Sequence, residues 1–93
     1  TSNIHKIFER IENGDKKAKF YMEAMAYNVA KYIGSAAAVL DFNVDAILLS
    51  GSIFNYPMFT QYLNNKIKTI APIAIFPTVN DLDALNMNAM LAL

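Results

Sequence analysis

Apolar residues recur at helical spacing through the first forty positions and then give way to unbroken runs. Ile4, Ile7, Phe8 and Ile11 share one face and Asn13-Gly14 supplies a left-handed stop, so the spacing predicts a short helix from about Asn3 to Glu12. From about Asp15 to Leu40, Ala18, Met22, Met25, Ala26, Val29, Ile33, Ala36, Ala37 and Leu40 form one stripe near the 3.6-residue period. That stripe predicts a long helix packed on a core. The opposite side of the same helix is also apolar, with Phe20, Ala24, Tyr27, Gly34 and Ala38 interrupted mainly by Glu23 and Lys31. One buried face does not require this, so a second contact is implied, with another helix of the same protein or with a subunit partner.

The period then changes. Val44-Asp45-Ala46-Ile47-Leu48-Leu49 reads as a strand buried on both faces, and it runs into Ser50-Gly51-Ser52, where glycine lets the chain turn tightly. Pro57 suits a first helical turn, and Phe59, Leu63, Ile67 and Ile70 give the following helix its stripe. Pro72-Ile73-Ala74-Ile75-Phe76-Pro77 is a second short apolar run, joined to the first strand through a helix and therefore predicted parallel to it. Asn80 as N-cap, Asp81 and Asp83 in the first turn, and Leu82, Leu85, Ala89 and Leu93 on one face predict a closing helix. The order is α-α-β-α-β-α, an α/β class with parallel strands. Two parallel strands are too few for a covered sheet, so the rest is expected outside this chain or from neighbouring copies.

Composition narrows the function. Ninety-three residues suit one domain at most, and eight basic against eight acidic residues leave no net charge. The cations are scattered, which argues against a nucleic-acid partner. Lys16, Lys17 and Lys19 open the long helix against its dipole and read as solvated. The absence of cysteine excludes disulfides and thiolate metal sites and fits a reducing compartment, with the cytoplasm as the default. The densest apolar runs fall far short of the ~20 residues that cross a bilayer, so no membrane partner is expected. The chain starts at Thr1 rather than methionine and reads as a piece of something longer.

Candidate chemistry is sparse. His5, beside Lys6, reads as a surface residue, because catalysis or coordination needs converging partners. Asp41 and Asp45 flank the loop before the first strand and read as solvated. Ligands of open parallel sheets gather at the carboxyl ends of the strands, which makes Ser50, Gly51 and Ser52 the foremost candidates. The plain alternative is an ordinary turn, with Ser52 capping the helix that begins near Pro57.

Four segments carry a family resemblance: Ala24-Met25-Ala26-Tyr27-Asn28-Val29-Ala30-Lys31-Tyr32-Ile33-Gly34, Val44 through Gly51, Ile70-Ala71-Pro72, and Asn80-Asp81-Leu82-Asp83-Ala84-Leu85. In order and spacing they resemble the carboxyl-terminal part of butyrate kinases, from about Lys19 onward. The resemblance implies part of a ribonuclease-H-like, actin-like ATPase domain, with residues 1–93 as a single partial domain on the nucleotide side of the second domain. It implies phosphate transfer between ATP, with Mg²⁺, and a short-chain carboxylate such as butyrate. By the same resemblance, Ser50, Gly51, Ser52 and Ile53 border the adenosine and phosphates, and the turn Thr78-Val79-Asn80-Asp81 flanks the adenine and ribose. The implied partners are the remainder of a kinase chain or another subunit, in a homo-oligomer. Neither the family's glycine-rich phosphate loop and acidic metal residues nor its arginine and histidine are found in these residues. Ser52, Thr78 and Asn88 stand where the family carries glycine. The alternative reading is a non-catalytic structural or oligomerisation module with degenerate nucleotide loops.

Overall fold

A computed structural model describes residues 3–76 and the strand Asn88–Ala92. Helix α1, Asn3–Glu12, buries Ile4, Phe8 and Ile11, the predicted face. Helix α2, Lys16–Val39, is 24 residues long. Asp15 caps it by accepting a hydrogen bond from the Ala18 backbone N–H at 3.0 Å, which offsets the three lysines of its first turn. At the other end the Phe42 N–H donates to Ala37 O at 2.8 Å and the Asp41 N–H to Ala38 O at 3.0 Å, the pair of bonds that closes a Schellman motif. Asp41 and Phe42 take left-handed φ of 57° and 61° there, without glycine.

Strand β1, Ala46–Ser50, leads into Gly51 and a short 3₁₀ turn, Ser52–Asn55, before helix α3, Pro57–Ile67. Proline opens α3 as predicted, its missing N–H costing nothing at a helix start. Strand β2, Ile73–Phe76, pairs with β1 in parallel, with Ile47 beside Ile73 and Ser50 beside Phe76. Residues of all three helices join Ile47 and Leu49 in one core. Met22, Ile33, Phe59 and Leu63 are fully enclosed in it. Stacked rings of Phe8 and Tyr56, 4.1 Å between centroids, tie α1 to the start of α3. Among the described residues no helix is long and apolar enough to cross a membrane.

Two expectations are corrected. Strand β1 is buried on alternate residues only: Ile47 and Leu49 are enclosed, whereas Ala46, Leu48 and Ser50 are half-buried. The molecule extends 41 × 27 × 16 Å, and its short dimension is that of one helical layer on one sheet. The second correction concerns the closing helix. Residues Asn88–Ala92 form strand β3, antiparallel to β1, giving the order β2-β1-β3. A short apolar segment fits either period, and pairing with the second edge of β1 satisfies backbone groups that would otherwise stay open. The observed order is therefore α1-α2-β1-α3-β2-β3, mixed rather than purely parallel. The start of the predicted helix, with Asn80 to Asp83, lies outside the described residues.

Candidate functional site

The apolar run of β1 ends at the edge where two parallel strands release their chains together, since Ser50 and Phe76 are register partners. Gly51 follows with φ 132° and ψ 149°, a conformation open essentially to glycine alone. Among the described residues of the site this is the one position at which backbone geometry disfavours a side chain. Its carbonyl accepts from the Phe54 N–H at 3.1 Å, which folds the chain back at once. Ile53 and Phe54, 1% and 3% exposed, then drive their side chains into the core and anchor the bend. Phe54 meets Phe59 edge-on at 5.7 Å.

The predicted site residues thus divide by what they can offer. Ser50 is half-buried at the strand end, between Phe76 of β2 and Asn88 of β3 in the sheet register. Ser52 is half-buried, and its Oγ is enclosed with no hydrogen-bond partner among the described residues. A buried hydroxyl without a partner is costly, and it is the kind of atom that a bound polar group or a water satisfies. Ser52 does not cap α3, which starts five residues later and has Tyr56 as its N-cap with no side-chain bond. The Ile53 side chain belongs to the core, leaving only its backbone near the bend. Asn80 and Asp81 lie outside the described residues, as do Thr78 and Val79. Asn88 sits at the same edge through its pairing with Ser50.

Charge limits what this edge can hold. Residues 44–57 and 71–84 contain no lysine or arginine, while Asp45, Asp81 and Asp83 lie among them. The described residues of this edge offer the Ser50 and Ser52 hydroxyls and backbone amides, groups that suit sugar hydroxyls or a base. Those two segments carry no cation to neutralise a polyphosphate. Asp41 and Asp45 are exposed before β1, away from the carboxyl edge, as the sequence indicated.

A second cluster escaped the sequence reading. His5 Nδ1 lies 3.4 Å from the Tyr56 hydroxyl and His5 Nε2 lies 3.8 Å from Glu9 Oε2. With Phe8 and Met58 they line a shallow, mostly apolar cavity of about 140 Å³. The residues involved are 51 positions apart, so no local motif announces them. Among the described residues no group of histidine and carboxylate side chains is arranged to hold a metal ion.

A glycine-only bend at the carboxyl edge of paired parallel strands lies where ligands of open α/β sheets gather. The chain belongs to the ROK family, whose pattern matches residues 1–84; this family has the actin-like ATPase fold. It is also homologous to butyrate kinases. It is 44% identical to a probable butyrate kinase of Bacteroides thetaiotaomicron over all 93 of its residues, which cover 26% of that protein. It is 39% identical to probable butyrate kinase 2 of Caldanaerobacter subterraneus subsp. tengcongensis over 97% of the chain and 25% of the relative. With butyrate kinase 2 of Clostridium acetobutylicum it shares 44% over 91% of the chain and 24% of the relative. The chain therefore spans about a quarter of the length of the curated relatives it matches.

Proposed function

We propose that this chain forms the adenosine-side wall of an ATP cleft in a butyrate-kinase-like enzyme, a cytoplasmic protein that moves phosphate between ATP and a short-chain carboxylate. The observation that carries the reading is the Gly51 bend: a glycine-only backbone at the carboxyl edge of β1, followed by an enclosed and unpartnered Ser52 hydroxyl. Homology to butyrate kinases at 39% to 44% identity supports the phosphotransfer class. The lack of cations in residues 44–57 and 71–84 supports the adenosine side rather than the phosphate side. Bound Mg²⁺-ATP would supply the transferring phosphoryl group and part of the charge neutralisation that such a reaction needs. The residues described here that would position the nucleoside are the Ser50 and Gly51 backbone and the Ser52 hydroxyl; Asn80 and Asp81, outside the described residues, share that role by the family resemblance alone.

Calorimetric titration of the chain with Mg²⁺-ATP tests this directly. Weak binding is expected in the millimolar range, and it is expected to weaken further in the Ser52→Ala variant, which removes the enclosed hydroxyl and leaves the backbone bend. Absence of heat and of any thermal shift in both chains rejects the nucleotide reading. A second reading, a non-catalytic structural or oligomerisation module, is favoured by the exposed aromatic side chains of α2 and gains if neither chain binds.

A further inference from the structure

The bend after β1 closes on Tyr56, which ends the 3₁₀ turn and begins α3. Its N–H donates to Ile53 O at 3.3 Å, and its carbonyl accepts from the Phe59 N–H at 3.0 Å and the Thr60 N–H at 3.1 Å. Serine, threonine, asparagine or aspartate is the usual residue at such a helix start, because a short side chain can turn back to bond the open N–H groups. The Tyr56 side chain makes no such bond. Local helix chemistry therefore does not account for a tyrosine here, and breaks of a local rule collect at functional sites.

Helix α1 uses that side chain instead. The Tyr56 ring lies flat on Phe8, 4.1 Å between centroids and 4° between planes, and its hydroxyl is 3.4 Å from His5 Nδ1. Phe8 and His5 are three residues apart on α1 and so share one side of the helix. The stack fixes the tilt of the ring and the hydroxyl contact fixes its far end. Four residues earlier the Ser52 Oγ is enclosed without a partner among the described residues, an unfavourable state that relaxes if the turn opens and lets water reach the hydroxyl. We propose that Tyr56 is a positioning residue for the nucleotide bend: Phe8 and His5 of α1 hold its ring, and the held ring keeps residues 51–55 in the arrangement that presents the Ser52 hydroxyl. Its bearing on nucleotide affinity rests on the nucleotide reading above, whereas the hold on the bend does not. Apparent affinity follows the fraction of chains whose bend is in the competent arrangement, so loosening Tyr56 weakens binding without touching the ligand.

Amide hydrogen exchange at Phe54, whose N–H is bonded to Gly51 O, reads the bend without any nucleotide. His5 is exposed, so His5→Ala leaves the core intact. Phe54 is expected to exchange about fivefold faster in His5→Ala and in Tyr56→Phe, which keeps the stack and loses the hydroxyl, while the amides of β1 and α2 keep their rates. His5→Asn, whose amide stands where Nδ1 stood, is expected to restore slow exchange. The His5→Ala/Tyr56→Phe double variant is expected to exchange no faster than either single one, because both remove the same contact. Unchanged Phe54 exchange in the single variants, or effects that add in the double one, overturns the hold on the bend. In calorimetric titration His5→Ala is expected to bind Mg²⁺-ATP about threefold more weakly than the unmodified chain. Faster Phe54 exchange with unchanged affinity overturns the positioning role. No binding by the unmodified chain overturns the nucleotide reading instead, and the exchange rates then decide the hold on the bend alone.

Discussion

Two glycines in this chain answer the same substitution with opposite signs, and their backbone angles decide why. At Gly51, with φ 132° and ψ 149°, an alanine Cβ is forced into a region that L-residues avoid. Gly51→Ala is expected to destabilise the chain by roughly 1–3 kcal/mol. Gly34 lies inside α2 with open space where its Cβ would stand, so Gly34→Ala is expected to stabilise the monomer by roughly 0.5–1 kcal/mol. Urea unfolding of the two variants at a concentration where the chain is monomeric checks both. Equal effects would mean that the Gly51 bend is not held in the conformation described. Gly51 was legible from the sequence, because an aliphatic run ending in glycine marks a strand that must turn. The enclosure of the Ser52 hydroxyl and of the Ile53 side chain was not, since both depend on how Phe59 and the rest of α3 pack beneath the bend.

At the scale of the element, α2 depends on a cap that works against its own composition. Lys16, Lys17 and Lys19 place positive charge at the positive end of the helix dipole, each unfavourable by a few tenths of a kcal/mol at an exposed site. Asp15 supplies both a hydrogen bond to the Ala18 N–H and a compensating negative charge. Asp15→Ala is expected to cost about 1–2 kcal/mol, the upper part of the usual range for lost caps, and Asp15→Asn, which keeps the acceptor, clearly less. Thermal unfolding followed by circular dichroism reads the difference; equal losses would show that charge rather than the hydrogen bond holds the helix start. The existence of α1, α2 and α3 and the direction of β2 were legible because each rests on local periodicity and on a helical connection between strands. The His5 and Tyr56 contact was not legible, because it joins residues 51 positions apart through the stacking of Phe8 on Tyr56. The strand Asn88–Ala92 was misread as helix because alanine, methionine and leucine are good helix formers. Its pairing is decided instead by a distant edge of β1.

In the whole molecule that edge governs stability. Strand β1 is the centre of the sheet, with β2 parallel on one side and β3 antiparallel on the other. The three helices supply the core that encloses Ile47 and Leu49, while Leu48 and Ser50 stay half-buried. An unbroken aliphatic strand has the composition for two covered faces, yet the molecule is only 16 Å in its thin dimension and matches about a quarter of its relatives' length. Much of the hold on β1 therefore comes from backbone pairing on both its edges. Hydrogen exchange makes this testable: the amides of Ala46–Ser50 are expected to be the slowest in the sheet, because they sit between two strands. Met90, the register partner of Leu48, is the point at which to break one side. Met90→Pro removes a ladder donor and is expected to speed exchange at those β1 amides directed toward β3, while those directed toward β2 keep their protection. If residues 88–92 were helical, no such alternation along β1 would follow, since a helix satisfies its own backbone and leaves the strand edge as it was.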